Sequence, residues 1–73
     1  MSKLPRISGV EAIKVFGRLG WQVARQRGSH VTLVKPGTRL ILTVPLHPEL
    51  APGTLRRLIR DAGLSVEQFL AAR

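Results

Sequence analysis

The stretch Trp21-Gln22-Val23-Ala24-Arg25-Gln26-Arg27-Gly28-Ser29-His30-Val31-Thr32-Leu33-Val34 decides how this chain folds. Two runs that alternate between apolar and polar side chains meet at Gly28-Ser29, a two-residue link suited to a tight β-hairpin. The reading is a strand over 21–27, a turn, and a second strand over 30–35. Successive side chains of a strand point to opposite faces, so Val31 and Leu33 directed at a core send His30 and Thr32 to the open side. Pro36-Gly37 then supplies a turn, with proline fixing the first central residue and glycine permitting positive φ at the second. A third strand follows over 39–44, with Leu40, Leu42 and Val44 on its buried face. Arg39, Ile41 and Thr43 fall on the side that carries His30.

Helices are expected on either flank of this sheet. Ser8 and Glu11 have the spacing of a capping box, so a first helix should begin near Gly9. Ala12, Ile13, Phe16 and Leu19 recur at helical spacing as its buried stripe, and Gly20 is placed to stop it. Residues 46–51 read as a loop. Pro52 suits the first turn of a second helix, where its missing N–H would have no partner anyway. Leu55, Leu58, Ile59 and Ala62 make the apolar stripe of that helix, Arg56, Arg57 and Arg60 project from its other sides, and Gly63 ends it. Ser65 and Gln68 form another capping box for a short terminal helix, whose Phe69 and Leu70 would close the core. The class is α+β, in the α-β-β-β-α order of a double-stranded-RNA-binding-like domain. A three-stranded antiparallel sheet would carry helices on one face only, leaving the other open. Residues 1–7 are expected to be a flexible N-terminus and 8–73 a single domain.

Composition narrows the possible functions. Twelve Lys and Arg against four Asp and Glu leave a formal charge of +8 on 73 residues, and nine of the twelve are arginines. Such an excess favours a polyanionic partner, and guanidinium groups fork onto phosphate oxygens with two donors. Nucleic acid is the leading candidate. The chain has no cysteine, which removes disulfides and thiolate metal sites, and no apolar run approaches the roughly 18 residues of a membrane span. Without a signal-peptide core at its start, the chain is expected to be cytoplasmic, with no membrane partner. Glu11, Glu49, Asp61 and Glu67 are scattered over separate elements, and none has a ligand spacing to either histidine. A metal-dependent nuclease or a paired-carboxylate hydrolase is therefore not expected, and no cofactor is implied.

Three groups of residues could carry chemistry. His30, with Arg25, Arg27 and Ser29 around it, combines a ring able to move a proton near neutral pH with cations that can hold a phosphate. RNA brings its own nucleophile, the 2′-hydroxyl, so cleavage needs a group to take that proton, a donor for the leaving oxygen, and positive charge where negative charge grows. Taken alone, a histidine at a strand edge is more often solvated or structural. His47, between Leu46 and Pro48, is a possible secondary acid or base if its loop folds back toward the hairpin. Pro52-Gly53-Thr54 leading into Arg56 and Arg57 has the form of a phosphate clamp at a helix start, with Thr54 adding a hydroxyl donor. Trp21, Phe16 and Phe69 are explained as core, which disfavours reading of single strands by base stacking. An alternative reading of the same basic face is a non-catalytic RNA-binding module.

The blocks Gly20-Trp21, Arg27-Gly28-Ser29-His30, Thr43-Val44-Pro45, Leu50-Ala51-Pro52-Gly53-Thr54-Leu55 and Asp61-Ala62-Gly63-Leu64 together resemble the HicA family of small toxins. The resemblance runs from about Ser8 to about Leu70. It implies a double-stranded-RNA-binding-like fold, metal-independent cleavage of mRNA by a histidine, and neutralisation by a HicB-type antitoxin. The toxin is expected to be a monomer inside a larger toxin–antitoxin complex. By position, His30 inherits the catalytic role. Where many relatives carry two histidines after the Gly-Ser pair, this chain has Val31 in the second place. Because Val31 belongs to the buried alternation and His30 to the open face, activity is expected to survive.

Overall fold

A computed structural model describes residues 3–73. Its elements run α1 (Gly9–Arg18), β1 (Gln22–Arg27), β2 (His30–Val34), β3 (Ile41–Pro45), α2 (Pro52–Asp61) and α3 (Val66–Ala71). The strands form one antiparallel sheet in the order β1-β2-β3. This is the expected α+β architecture, with the helices on one face of an open sheet.

The local signals act as their chemistry requires. The Ser8 side chain accepts from the Glu11 N–H while the Glu11 carboxylate reaches back to the Ser8 N–H, and Ser65 and Gln68 repeat the arrangement at α3. At the far end of α1, Gly20 has φ +97°, its N–H donates to the Gly17 carbonyl, and the Trp21 N–H donates to that of Phe16. Those paired bonds make a Schellman stop, and the apolar contact that accompanies it is Trp21 edge-on to Phe16, with ring centroids 6.3 Å apart. Gly63 closes α2 the same way, with the Leu64 N–H on the Ile59 carbonyl. Between β2 and β3, the Thr38 N–H donates to the Lys35 carbonyl across Pro36-Gly37, and Gly37 has φ +86°, the signature of a type II turn.

One apolar core lies between the sheet and the helices. Phe16, Trp21, Val31, Leu33, Leu42, Val44, Leu55, Ile59 and Phe69 are among its members, and no polar or charged side chain is buried among the described residues. The indole Nε1–H of Trp21 is buried there without an acceptor. Both α1 and α2 pack against β3. The edge strand β1 lies beyond their cover, and all six of its residues are exposed.

Several expectations need correction. Leu40 does not belong to the buried face of β3: it is 42 % exposed and lies before the strand. Its N–H is taken by the Thr38 hydroxyl, which in turn donates to the Lys35 carbonyl, so the ladder begins only at Ile41 and extends to Pro45. Trp21 is not a strand residue, because the Schellman turn directs it into the core. Along α1 the buried stripe is Gly9, Ala12, Val15 and Phe16, with Ile13 and Leu19 only half-buried at its margin. Packing also reaches further toward the N-terminus than Ser8. Ile7 is buried, its carbonyl accepts from the Leu50 N–H, and Leu4 packs on the core. Leu4 and Ile7 thus pack with the domain that was expected to begin at Ser8, while Met1 and Ser2 lie outside the described residues.

Gly9 joins the two layers at closest range. Its N–H donates to the His47 carbonyl at 3.0 Å, and a methyl group added at its Cα would overlap the backbone carbonyl oxygen of Pro45. Backbone cannot rotate aside as a side chain can. Gly9→Ala should therefore cost about 1–3 kcal/mol of stability despite the better helix propensity of alanine. Urea unfolding checks this, and a variant at least as stable as the parent would show that α1 does not need this approach.

Candidate functional site

The β1–β2 hairpin presents the functional side chains, and one extra residue determines how. Gln22 pairs with Val34 and Val23 with Leu33, but the next pair is Arg25 with Thr32, followed by Gln26 with Val31 and Arg27 with His30. Ala24 is the inserted residue of a β-bulge. In an unbroken strand, Val23, Arg25 and Arg27 would share one face, so turning the valine toward the helical side would turn both arginines there too. The bulge reverses the alternation. Val23 and Gln26 take the face of Leu33 and Val31, while Arg25 and Arg27 take the open face with Thr32 and His30.

The turn itself is held from two sides. Gly28 has φ +58° and Ser29 does not, the pattern of a type II′ turn that matches the twist of the strands. The Gln26 side-chain amide donates to the Gly28 carbonyl at 3.0 Å, and the Ser29 carbonyl accepts from the Leu46 N–H at 2.7 Å. His30 begins β2 between Arg27 on β1 and Pro45 on β3. Its ring is exposed and makes no hydrogen bond with the described residues.

Positive charge on this face is uncompensated. Arg25 and Arg27 form no ion pair among the described residues. Of the four carboxylates, Glu11, Asp61 and Glu67 belong to helices and Glu49 to the loop before α2. Glu49 lies 3.4 Å from Arg6, and Asp61 3.7 Å from Arg60. Among the described residues, no three His, Cys, Asp or Glu gather as a metal would require.

Of the expected site residues, Arg25, Arg27, Ser29 and His30 come together at one end of the sheet. His47 follows Leu46, whose N–H is bound to Ser29, so its loop does fold back on the hairpin turn; its imidazole is exposed and its carbonyl is engaged with Gly9. Thr54, Arg56 and Arg57 are elsewhere. They lie on α2, whose Leu55, Leu58 and Ile59 face the core from the helical side, opposite His30. The start of α2 has no side-chain cap, Thr54 is half-buried, and Arg56 and Arg57 are exposed. They make a second basic surface behind the sheet. Thr32 and Thr43, by contrast, belong to none of the three groups that the sequence marks for chemistry, yet they pair across the middle of the open face. The alternation that exposes His30 also exposes them, and that signal was available.

No helix is long and apolar enough to cross a membrane among the described residues. No curated protein and no solved structure matches the chain. The family model for the HicA toxin of bacterial toxin–antitoxin matches residues 9–64, a span that begins with α1, contains the whole sheet and ends just past α2. With the bulged hairpin, its exposed His30 and the uncompensated arginines all inside that span, the chain belongs to the HicA toxin family of bacterial toxin–antitoxin systems.

Proposed function

We propose that this toxin is an mRNA endoribonuclease that needs no metal, with His30 as the general base or acid. The observation that carries the reading is the register: Arg27 lies directly across from His30, and Arg25 is two residues along on the same open face. In the step we envisage, a base takes the proton of a 2′-hydroxyl, the 2′-oxygen attacks the adjacent phosphorus, and the bond from phosphorus to the 5′-oxygen breaks. The leaving oxygen takes a proton from an acid, and a 2′,3′-cyclic phosphate remains. His30 serves as one of these two groups, and His47 is the candidate for the other. The guanidinium group of Arg27, directly across from His30, would face the phosphate oxygens as negative charge accumulates on them, with Ser29 contributing at the turn and Arg25 holding the RNA backbone one row further along the same face. Thr54, Arg56 and Arg57 would hold a more distant part of the same RNA.

The decisive comparison uses an RNA strand and the same sequence built with deoxyribose, each with excess chelator. Cleavage of the RNA alone, unaffected by chelator, is the expected result. Binding of both strands without cleavage would identify a non-catalytic RNA-binding module.

The character of the partner's covering surface follows from charge. A HicB-type antitoxin that neutralises the toxin should present carboxylates where it covers the hairpin and α2, in a complex that holds the toxin as a monomer. Attraction between oppositely charged surfaces raises the association rate and is screened by salt. Association of the two proteins should slow by about tenfold or more between 50 and 500 mM salt, measured by stopped-flow fluorescence. A rate independent of salt would contradict an acidic covering surface.

A further inference from the structure

The open face contains a second row of side chains beside the one that holds His30. The first row crosses the sheet as Arg27, His30 and Pro45, and the next as Arg25, Thr32 and Thr43. Adjacent strands lie about 4.8 Å apart, and rows two residues apart along a strand are about 6.7 Å apart. Thr32 is half-buried and Thr43 exposed, and neither hydroxyl has a hydrogen-bond partner among the described residues. The pair therefore does not bond to itself across the strands, which is the usual structural use of facing threonines.

We propose that Arg25, Thr32 and Thr43 form a binding site for the RNA phosphate next to the one being cut. Two hydroxyl donors and a guanidinium fork lie in one row across the open face, a donor set for a tetrahedral anion. The spacing between rows lies within the reach of successive phosphates in an extended single strand. The RNA then runs along the direction of β2, with the scissile phosphate at the hairpin end and its neighbour at the centre of the sheet. This rests on the nuclease reading for the position of the cut, but the binding it describes is measurable without cleavage.

The test uses a fluorescently labelled single-stranded RNA and the His30→Ala protein, which leaves the probe intact. Thr32→Val and Thr43→Val keep the β-branched shape favoured in strands and remove only the hydroxyls. Each should weaken binding about two- to tenfold, the range of one hydrogen bond, without changing the dependence on salt. Arg25→Gln should weaken binding and lower the salt slope by about 0.7, as expected for one phosphate contact on a single strand. Unfolding midpoints within error of the parent show that each fold is intact. An unchanged affinity in the double threonine variant, or an unchanged slope for Arg25→Gln, overturns the site. Failure of the nuclease reading looks different. If the threonine variants bind weakly as expected but otherwise native protein never cuts RNA, the site stands and the proton-transfer role falls.

Discussion

His30→Ala is expected to lower the rate of RNA cleavage by about 10²–10⁴-fold, the usual contribution of a positioned acid or base. It should leave the fold intact, because the ring is exposed and forms no hydrogen bond with the described residues. Binding to RNA should change by no more than a few fold, since the proposed phosphate contacts belong to Arg25 and Arg27 on the neighbouring strand. Three measurements on one preparation check this: single-turnover cleavage, thermal unfolding and RNA affinity. A variant that folds, binds and cuts at the parental rate would remove His30 from the chemistry. His47→Ala, treated the same way, shows whether the second imidazole contributes, because the Leu46–Ser29 bond holds its loop against the same turn.

The largest expected effect on stability belongs to Phe16→Ala. Phe16 is fully buried, meets Phe69 at 5.2 Å between ring centroids and Trp21 at 6.3 Å, and its carbonyl receives the Trp21 N–H that closes α1. Removing the ring leaves a void at the point where α1, α3 and the start of the hairpin meet, at a cost of about 3–5 kcal/mol. A domain of 73 residues has a total stability of roughly 4–11 kcal/mol. The variant should therefore lose roughly a quarter of its stability or more, read as a fall in the urea midpoint. A loss below about 1 kcal/mol would mean that the aromatic cluster does not hold these elements together.

The parts of the fold visible in the sequence are those decided by a few adjacent residues. Ser8 with Glu11 and Ser65 with Gln68 announce helix starts because a capping box is local chemistry. Gly20, Gly37 and Gly63 announce stops and turns because few other residues adopt positive φ. Features set by pairing between distant segments were harder to read. The bulge at Ala24 follows from how β1 meets β2, and nothing between Val23 and Arg25 marks an inserted residue. The hydroxyl of Thr38 ends the ladder before Leu40 by a contact that periodicity does not register. Leu4 and Ile7 looked like a loose leader because the surfaces that receive them, beside Leu50, are assembled only on folding.

The candidate site divides the same way. The open position of His30 follows from the burial of Val31 and Leu33, and the structure has that alternation. The position of Arg25 and Arg27 beside it depends on the bulge, so the alternation of β1 alone could not assign their face. That the arginines of α2 stand behind the sheet follows from packing the helices on one side. The apolar stripes of α1 and α2 imply that packing, and with it the separation of the α2 arginines from His30.

The chemistry of the cut ends tests the central claim most directly. If the toxin uses the 2′-hydroxyl of its own substrate as nucleophile and a side chain to accept its proton, mass spectrometry of the upstream fragments should find 2′,3′-cyclic phosphate, and a single deoxyribose at the mapped position should abolish the cut there. Fragments ending in a 3′-hydroxyl, or cutting that persists through the deoxyribose, would contradict it.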